Sequence, residues 1–520
     1  MISDQPAASP PRHRPWSGTA PWTGAMLALV LAALVSAMVA AMRLRGPWYD
    51  EFYTLYVTRP GVPLPYAFSR WLADNHPPLF YALARATSWL GTTVEERRWV
   101  NLFVLLGATV QFAWWLIPHP LRRLGWVFAV GLASAWPAID RAAELRSNYL
   151  AFASAAVAVA ALIAFDRGHR PPRRAAWAML TFALLIAFNV HLAASIVVGS
   201  LATAMILRRL LARDGQGAFH LFAAAALAAI PMLVHLLWSF GQIEANTRSF
   251  WIPGGLDAAR WAIEIEVLGS LTANPAITLL AALGFAMLAW RSWRDRRLTD
   301  HADLALTLAV GLGIAVIAMV AIHLWRPFII GRYLVTLHPP IAMILALGVT
   351  ALLDRARPVV VVLLSAAMTL AAMVAIRENW ARTVAQPSWY GTGSTIASIR
   401  RACPTTRIHV HAAGNRIAMA APPVENRVVF PFAYRIVAAH FGFPIVSGHD
   451  MSRDCPTLFW TEHAAGQPVT VDGLMAELRA QGFPIGRARL RRIGYGYVLE
   501  AWPTTTGALP NAVPAATRRL

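Results

Sequence analysis

The sequence predicts a polytopic α-helical membrane protein of about eleven spans with a soluble α/β domain at its C-terminal end. Three observations predict it. The chain of 520 residues is 57% hydrophobic and only 14% charged, too apolar for a soluble protein of several domains. Its apolar residues gather into runs long enough to cross a hydrocarbon core of about 30 Å. Its arginines cluster in the short connections between those runs, the pattern of a membrane topology signal. A net charge of +20 would point to nucleic acid in a soluble chain, but so distributed it implies no nucleic-acid partner. The chain contains no lysine, so any bound anion must be held by arginine, histidine or backbone, and arginine's planar fork suits phosphate.

In chain order, residues 1–23 are polar and proline-rich and read as a disordered cytoplasmic tail. Residues 24–42 form the first span. A cleaved signal peptide is the competing reading, disfavoured by the length of the run and the many spans after it. Further runs occupy 99–118, 124–140, 149–165, 175–190, 192–208, 218–240, 272–290, 302–323, 333–353 and 358–376. Arginine clusters at 121–125, 166–175, 207–214, 290–297 and 354–358 mark cytoplasmic connections, and the remaining connections face outward. This parity places the N-terminus inside and the C-terminus outside a plasma (inner) membrane. Residues 24–379 form the transmembrane domain, with a large first extracytoplasmic loop at 43–98 and a second outward stretch at 241–271. Within the first loop, 77–91 is apolar but short and reads as an interfacial helix, a further span being the rival topology.

After residue 380 the pattern changes to that of a soluble extracytoplasmic α/β domain, 380–520. Residues 407–412 and 495–502 look like strands, and 393–402 and 471–482 like amphipathic helices. The only cysteines, Cys403 and Cys455, lie here; a disulfide suits an oxidising compartment, and two buried free thiols are the alternative.

Polar residues recur at the outward ends of the spans. Asp50 and Glu51 stand in "WYDEFYTLY", and His76 in "DNHPPLFYAL" of the same loop. "ELRSNYL" brings Glu144 and Arg146, "FNVHLA" brings His191, and "RPFIIGRYL" brings Arg326, Arg332 and Tyr333. Each has a structural explanation when considered singly: Asp50 pairs with Arg43 or Arg45, His76 bonds backbone, and Arg146 and Arg332 snorkel to headgroups. The set argues against that, because five outward segments supply polar groups while the helices between them are nearly uncharged.

"WYDEFYTLY" followed by "DNHPPLFYAL" resembles the first extracytoplasmic loop of GT-C-type glycosyltransferases, the superfamily of protein O-mannosyltransferases and lipid A aminoarabinose transferases. "ELRSNYL" and "RPFIIGRYL" are similar to later motifs of that family, and the resemblance runs in order over residues 24–376. It implies an enzyme that takes a sugar from a polyprenyl-phosphate carrier on the outer face, with Asp50 in the catalytic acid position. One departure is the spacing of Arg146 and Tyr149, three residues where many members have two. The C-terminal domain matches no motif.

The chemistry fits the residues. A glycosyl phosphate already carries a fair leaving group, so the acceptor hydroxyl chiefly needs a general base, and the departing phosphate needs fixed cations. The implied partners are a polyprenyl-phosphate-sugar donor, an envelope acceptor (lipid, glycan or protein) and membrane lipids. No cluster has convincing metal-ligand spacing, and a divalent cation shared by Asp50, Glu51 and donor phosphate is the one cofactor left open. The alternative is a lipid-linked sugar flippase without chemistry, for which repeated halves and ionisable groups at mid-membrane are expected and not seen.

Overall fold

The computed structural model describes residues 20–118, 121–167, 173–247, 252–411, 429–462, 469–494 and 496–504, so the expected tail lies almost wholly outside the described residues. The chain divides into two compact units: Met1–Met42, Val62–Leu90 and Arg98–Thr383 form the first, and Arg43–Gly61, Gly91–Arg97 and Val384–Leu520 the second.

Each of the eleven apolar runs is helical, and among the described residues nine helices are long and apolar enough to cross a membrane. The other two runs give shorter helices, Arg122–Ser134 and Arg173–Val190. Arg122–Ser134 stops because Pro137 cannot donate to a carbonyl four residues back; Pro137 instead opens the short turn Pro137–Asp140. At 13 residues the helix is about 20 Å long, less than a hydrocarbon core. Leu79–Ala86, in the segment read as interfacial, has eight residues, about 12 Å, and is too short to span. The outward stretch 241–271 is more ordered than a connection: Gly215–Thr247 runs into it, and Leu256–Thr272 is a helix of 17 residues.

Ser147–Asp166 is buried along nearly its whole length, and its alanines let neighbouring helices approach from several sides. Glycines permit one very close crossing: a Cβ at Gly284 would lie 1.9 Å from the Gly348 carbonyl oxygen, so Pro275–Asp295 and His338–Leu353 touch backbone to backbone. Asn274 caps Pro275–Asp295, its Oδ1 accepting from the Ile277 N–H at 3.1 Å, while its Nδ2 donates to Ser134 Oγ and the Met368 carbonyl, each at 3.0 Å.

The arginine-rich connections meet at one end of this unit. Arg208 and Arg209 pair with Asp166 at 2.7 and 3.1 Å, Arg208 also with Asp303 at 2.5 Å, and Arg123 with Asp354 at 2.8 Å. At the opposite ends of the same helices stand Arg146, before Ser147–Asp166, and His191, before Leu192–Leu211. Twenty residues separate the two polar layers, about 30 Å along a helix.

The second unit holds a four-stranded sheet, order β1-β2-β4-β3, of Ile408–Val410 (β1), Thr457–Thr461 (β2), Ile485–Ile493 (β3) and Gly496–Pro503 (β4). β1 and β2 are parallel and the other pairs antiparallel. Alternation along β2 sends Phe459 to one face, against Leu474 and Leu478 of Val471–Ala480, and Trp460 to the other, against Trp389 and Tyr434. Helix Tyr49–Thr58 joins that second face: Phe52 packs on Trp389 with ring centroids 5.2 Å apart, Tyr49 stacks on Phe430 at 4.4 Å, and Tyr56 meets Phe432. Phe52, Tyr56 and Trp389 are buried, and full burial of a large apolar side chain such as Phe52 contributes about 1.5–3 kcal/mol.

Cys403 and Cys455 form a disulfide, with Cα atoms 5.7 Å apart and 52 residues of separation. Closing such a loop stabilises the unit by about 4 kcal/mol on the chain-entropy model. Alkylation before and after reduction, read by intact mass, should show no free thiol in unreduced envelope protein; two alkylated cysteines there would show that the bond does not form in the cell.

Glu462 is buried beneath the same aromatic face, accepting from Trp460 Nε1 at 2.8 Å, and its backbone N–H donates to the Tyr434 hydroxyl at 2.9 Å. Burial pushes its carboxyl from 4.5 up to about 8, against the lowering effect of hydrogen bonds from Trp460 and Thr392. Between those values the folded chain holds a proton that the unfolded chain releases, so stability falls as pH rises from about 4.5 through about 8. Thermal unfolding of this unit should show that slope, and Glu462→Gln should flatten it. An equal slope in the variant would assign the effect elsewhere.

Candidate functional site

In the first unit, four separated segments bring their polar residues into one buried cluster. The loop before Leu79–Ala86 supplies His76, whose ring lies 4.6 Å from that of His191 and 5.4 Å, edge on, from that of Tyr333. His191 and Tyr333 are 4.8 Å apart. His191 is the N-cap of Leu192–Leu211, its Nδ1 accepting the Ala193 N–H at 3.1 Å. That bond assigns the proton of a neutral ring to Nε2, which is buried and has no hydrogen-bond partner among the described residues. Tyr333 comes from the 3₁₀ segment Gly331–Leu337, with Arg332 beside it.

Arg146 joins through Tyr81: its Nη1 donates to the Tyr81 hydroxyl at 3.1 Å, and that hydroxyl donates to Asp74. Asp74 in turn accepts the Asn75 N–H at 2.7 Å, which shapes the turn leading to His76. Burial, then the positive charges of Arg146 and Arg332, then His235, hold His76 well below its ordinary pKa. It is therefore neutral at physiological pH, and the fixed positive charge of the cluster belongs to the arginines.

The cluster thus unites His76, His191, Tyr333, Arg146 and Arg332. Glu144 is buried nearby in sequence, but its carboxylate pairs with Arg141 and accepts Asn148 Nδ2 at 3.3 Å, tying down the start of Ser147–Asp166. Arg326 pairs with Glu244 at 3.2 Å. Sequence reasoning missed the roles of Asp74, Tyr81 and His235, although the first two flank His76 in the motif that was read.

Asp50 and Glu51 belong to the second unit, in the first turn of Tyr49–Thr58, and the two acids differ. Glu51 is wholly buried and closes a capping box, its Oε2 accepting the Trp48 N–H at 3.3 Å. Asp50 is half-buried, and both acids lie in the first turn, at the positive end of the helix dipole. The helix is braced at its far end, where Thr58 accepts from Arg97 Nη2 at 3.1 Å. Among the described residues no group of three or more His, Cys, Asp or Glu could hold a metal ion.

No family model matches the chain, and no curated protein matches it in sequence. In structure it is similar to ArnT from Cupriavidus metallidurans bound to undecaprenyl phosphate, with a TM-score of 0.51 and 14% identity over 95% of this chain and 100% of that one. The apo state of the same protein gives a TM-score of 0.51 over 93% and 98% of the two chains, again at 14% identity. The likeness is one of fold: the chain has an ArnT-like fold, with nine helices among its described residues long and apolar enough to cross a membrane.

Proposed function

We propose that the chain is an inverting glycosyltransferase that moves a sugar from a polyprenyl-phosphate donor to an envelope acceptor on the extracytoplasmic face of the plasma membrane. What supports this above all is the fold likeness, over nearly the whole of both chains, to a protein solved with undecaprenyl phosphate bound. The residues supply the matching chemistry. Asp50 is the general base: it takes the proton of the acceptor hydroxyl as that oxygen attacks the anomeric carbon. The bond from that carbon to phosphate oxygen breaks, its electrons leave with the polyprenyl phosphate, and the configuration inverts. Arg332 and Arg146 hold the phosphate charge, a task no lysine can share in this chain. Neutral His76 can hydrogen bond the phosphate without adding a cation. Glu51, committed to the helix cap, orients Asp50 and fits poorly as a metal ligand, so no step runs through a divalent ion.

Asp50→Asn should leave folding intact and lower turnover at least about a hundredfold, the low end of what a general base contributes. Glu51→Gln should be milder, because the amide oxygen can still accept the Trp48 N–H. Sugar transfer from a lipid-phosphate donor by purified protein measures both, and a near-parental rate in Asp50→Asn would remove Asp50 from the mechanism. A flippase would give no transfer in the parent.

Arg332→Ala should weaken donor binding and slow transfer, while Arg332→Lys should keep part of each, having the charge without the two-pronged geometry. Both are measured per folded molecule. Parental values in Arg332→Ala would reduce Arg332 to a headgroup anchor and transfer the phosphate to Arg146.

A further inference from the structure

Arg332 and Tyr333 lie in a segment that needs holding. Gly331–Leu337 is a 3₁₀ helix of seven residues leading directly into His338–Leu353. Runs of this helix type beyond three or four residues are uncommon, because side chains eclipse and the hydrogen bonds are poorly aligned. Left to itself, such a segment would relax toward α-helix, and Arg332 would turn with it.

Glu266, on the facing helix Leu256–Thr272, meets both ends of the segment with one carboxylate. Its Oε1 lies 2.7 Å from where a Cβ on residue 331 would stand, a separation that glycine permits. Its Oε2 contacts His338 Nε2 at 2.9 Å, and His338 is the residue that closes the 3₁₀ run. Trp136 Nε1 donates to the same oxygen at 3.2 Å, and Trp136 is itself covered by the Arg141 guanidinium, 4.7 Å above its ring. Glu266 and His338 are 4% and 1% exposed. A carboxylate so deep in an apolar bundle is costly unless its lone pairs are filled, and here the groups near it belong to, or brace, the segment that carries Arg332.

We infer that Glu266 is a positioning residue that clamps the Gly331–Leu337 turn and so aims Arg332 at the carrier phosphate. The phosphate half of this inference rests on the proposed function; the clamp can be read without it.

The test uses the full-length protein in lipid nanodiscs with two readouts: amide hydrogen exchange over residues 328–337, and binding of undecaprenyl phosphate. Glu266→Gln preserves shape and should speed exchange in that segment about tenfold and weaken binding about tenfold, within the range that coupled neighbours show. The double variant Glu266→Gln with Arg332→Ala should bind no more weakly than Arg332→Ala alone, because a clamp acting through Arg332 has nothing left to aim. A general loss of packing would instead add to the Arg332 effect, and additive losses overturn the inference. Unchanged exchange in Glu266→Gln overturns it as well. His338→Ala, which removes the donor and leaves the carboxylate, is the second variant should the first not fold; the same loosening is expected, and its absence is equally fatal. Loosening in the variants of a parent that binds no undecaprenyl phosphate would support the clamp and overturn the carrier reading.

Discussion

A polar group inside an apolar helical bundle has no water to turn to, so every one that is kept must find its partner in protein. That constraint organises the first unit. Asparagines do the joining between helices: Asn101 donates to the Ala142 and Glu144 carbonyls at 2.9 and 2.8 Å, Asn189 to Ala228 at 3.0 Å, and Asn379 to Ser134 at 3.0 Å. Among the described residues many ionisable groups gather at two ends of the bundle, and the two ends solve the problem differently. At one, Arg208 and Arg209 are neutralised by Asp166, Asp303 and Asp214. At the other, the rings of His76, His191 and Tyr333 pack against one another at tilted and edge-on angles, and His191 Nε2 has no hydrogen-bond partner among the described residues. The first end is built for balance. The second links Arg146 through the Tyr81 hydroxyl to Asp74.

What could be read in the sequence follows the reach of each signal. Long apolar runs and the arginines between them are local and strong, and they located every helix of spanning length as well as the ends at which the polar layers form. The helix Leu256–Thr272 escaped because Asp257, Arg260, Glu264 and Glu266 interrupt its hydropathy, although Arg260 and Glu264, one turn apart, pair at 2.6 Å and support it. β3 escaped because Arg487, Arg489 and Arg491 hide the period of two that Ala488 and Leu490 keep toward the core. In Val429–Phe441 the proline at 431 reads as a breaker, whereas in the first turn of a helix it costs nothing.

The candidate site was legible by the same rule. His76, Arg146, His191, Arg332 and Tyr333 each sit beside a helix end that the hydropathy defines, so their common depth could be inferred from spacing alone. The contact of Glu266 with His338 bridges 72 residues and depends on the rotation of two helices about their axes, which no local pattern specifies. Its one sequence trace is that His338-Pro339-Pro340 repeats His76-Pro77-Pro78, a histidine and two prolines where a helix begins.

The adjacent acids of the first loop show how burial separates two chemically equivalent groups. Successive residues of a helix point about 100° apart, so when the Phe52 and Tyr56 face of Tyr49–Thr58 packs on Trp389 and Phe432, one member of the pair is drawn inward and the other is not. Glu51, with the longer side chain, can fold back to the Trp48 N–H that begins the helix, and this bond fills a donor that would otherwise be orphaned. Asp50 is one methylene shorter and is left at the rim, on a turn already fixed by its neighbour's cap and by the Thr54 hydroxyl that donates to its carbonyl at 3.0 Å. In this helix the second acid thus fixes the backbone turn that carries the first.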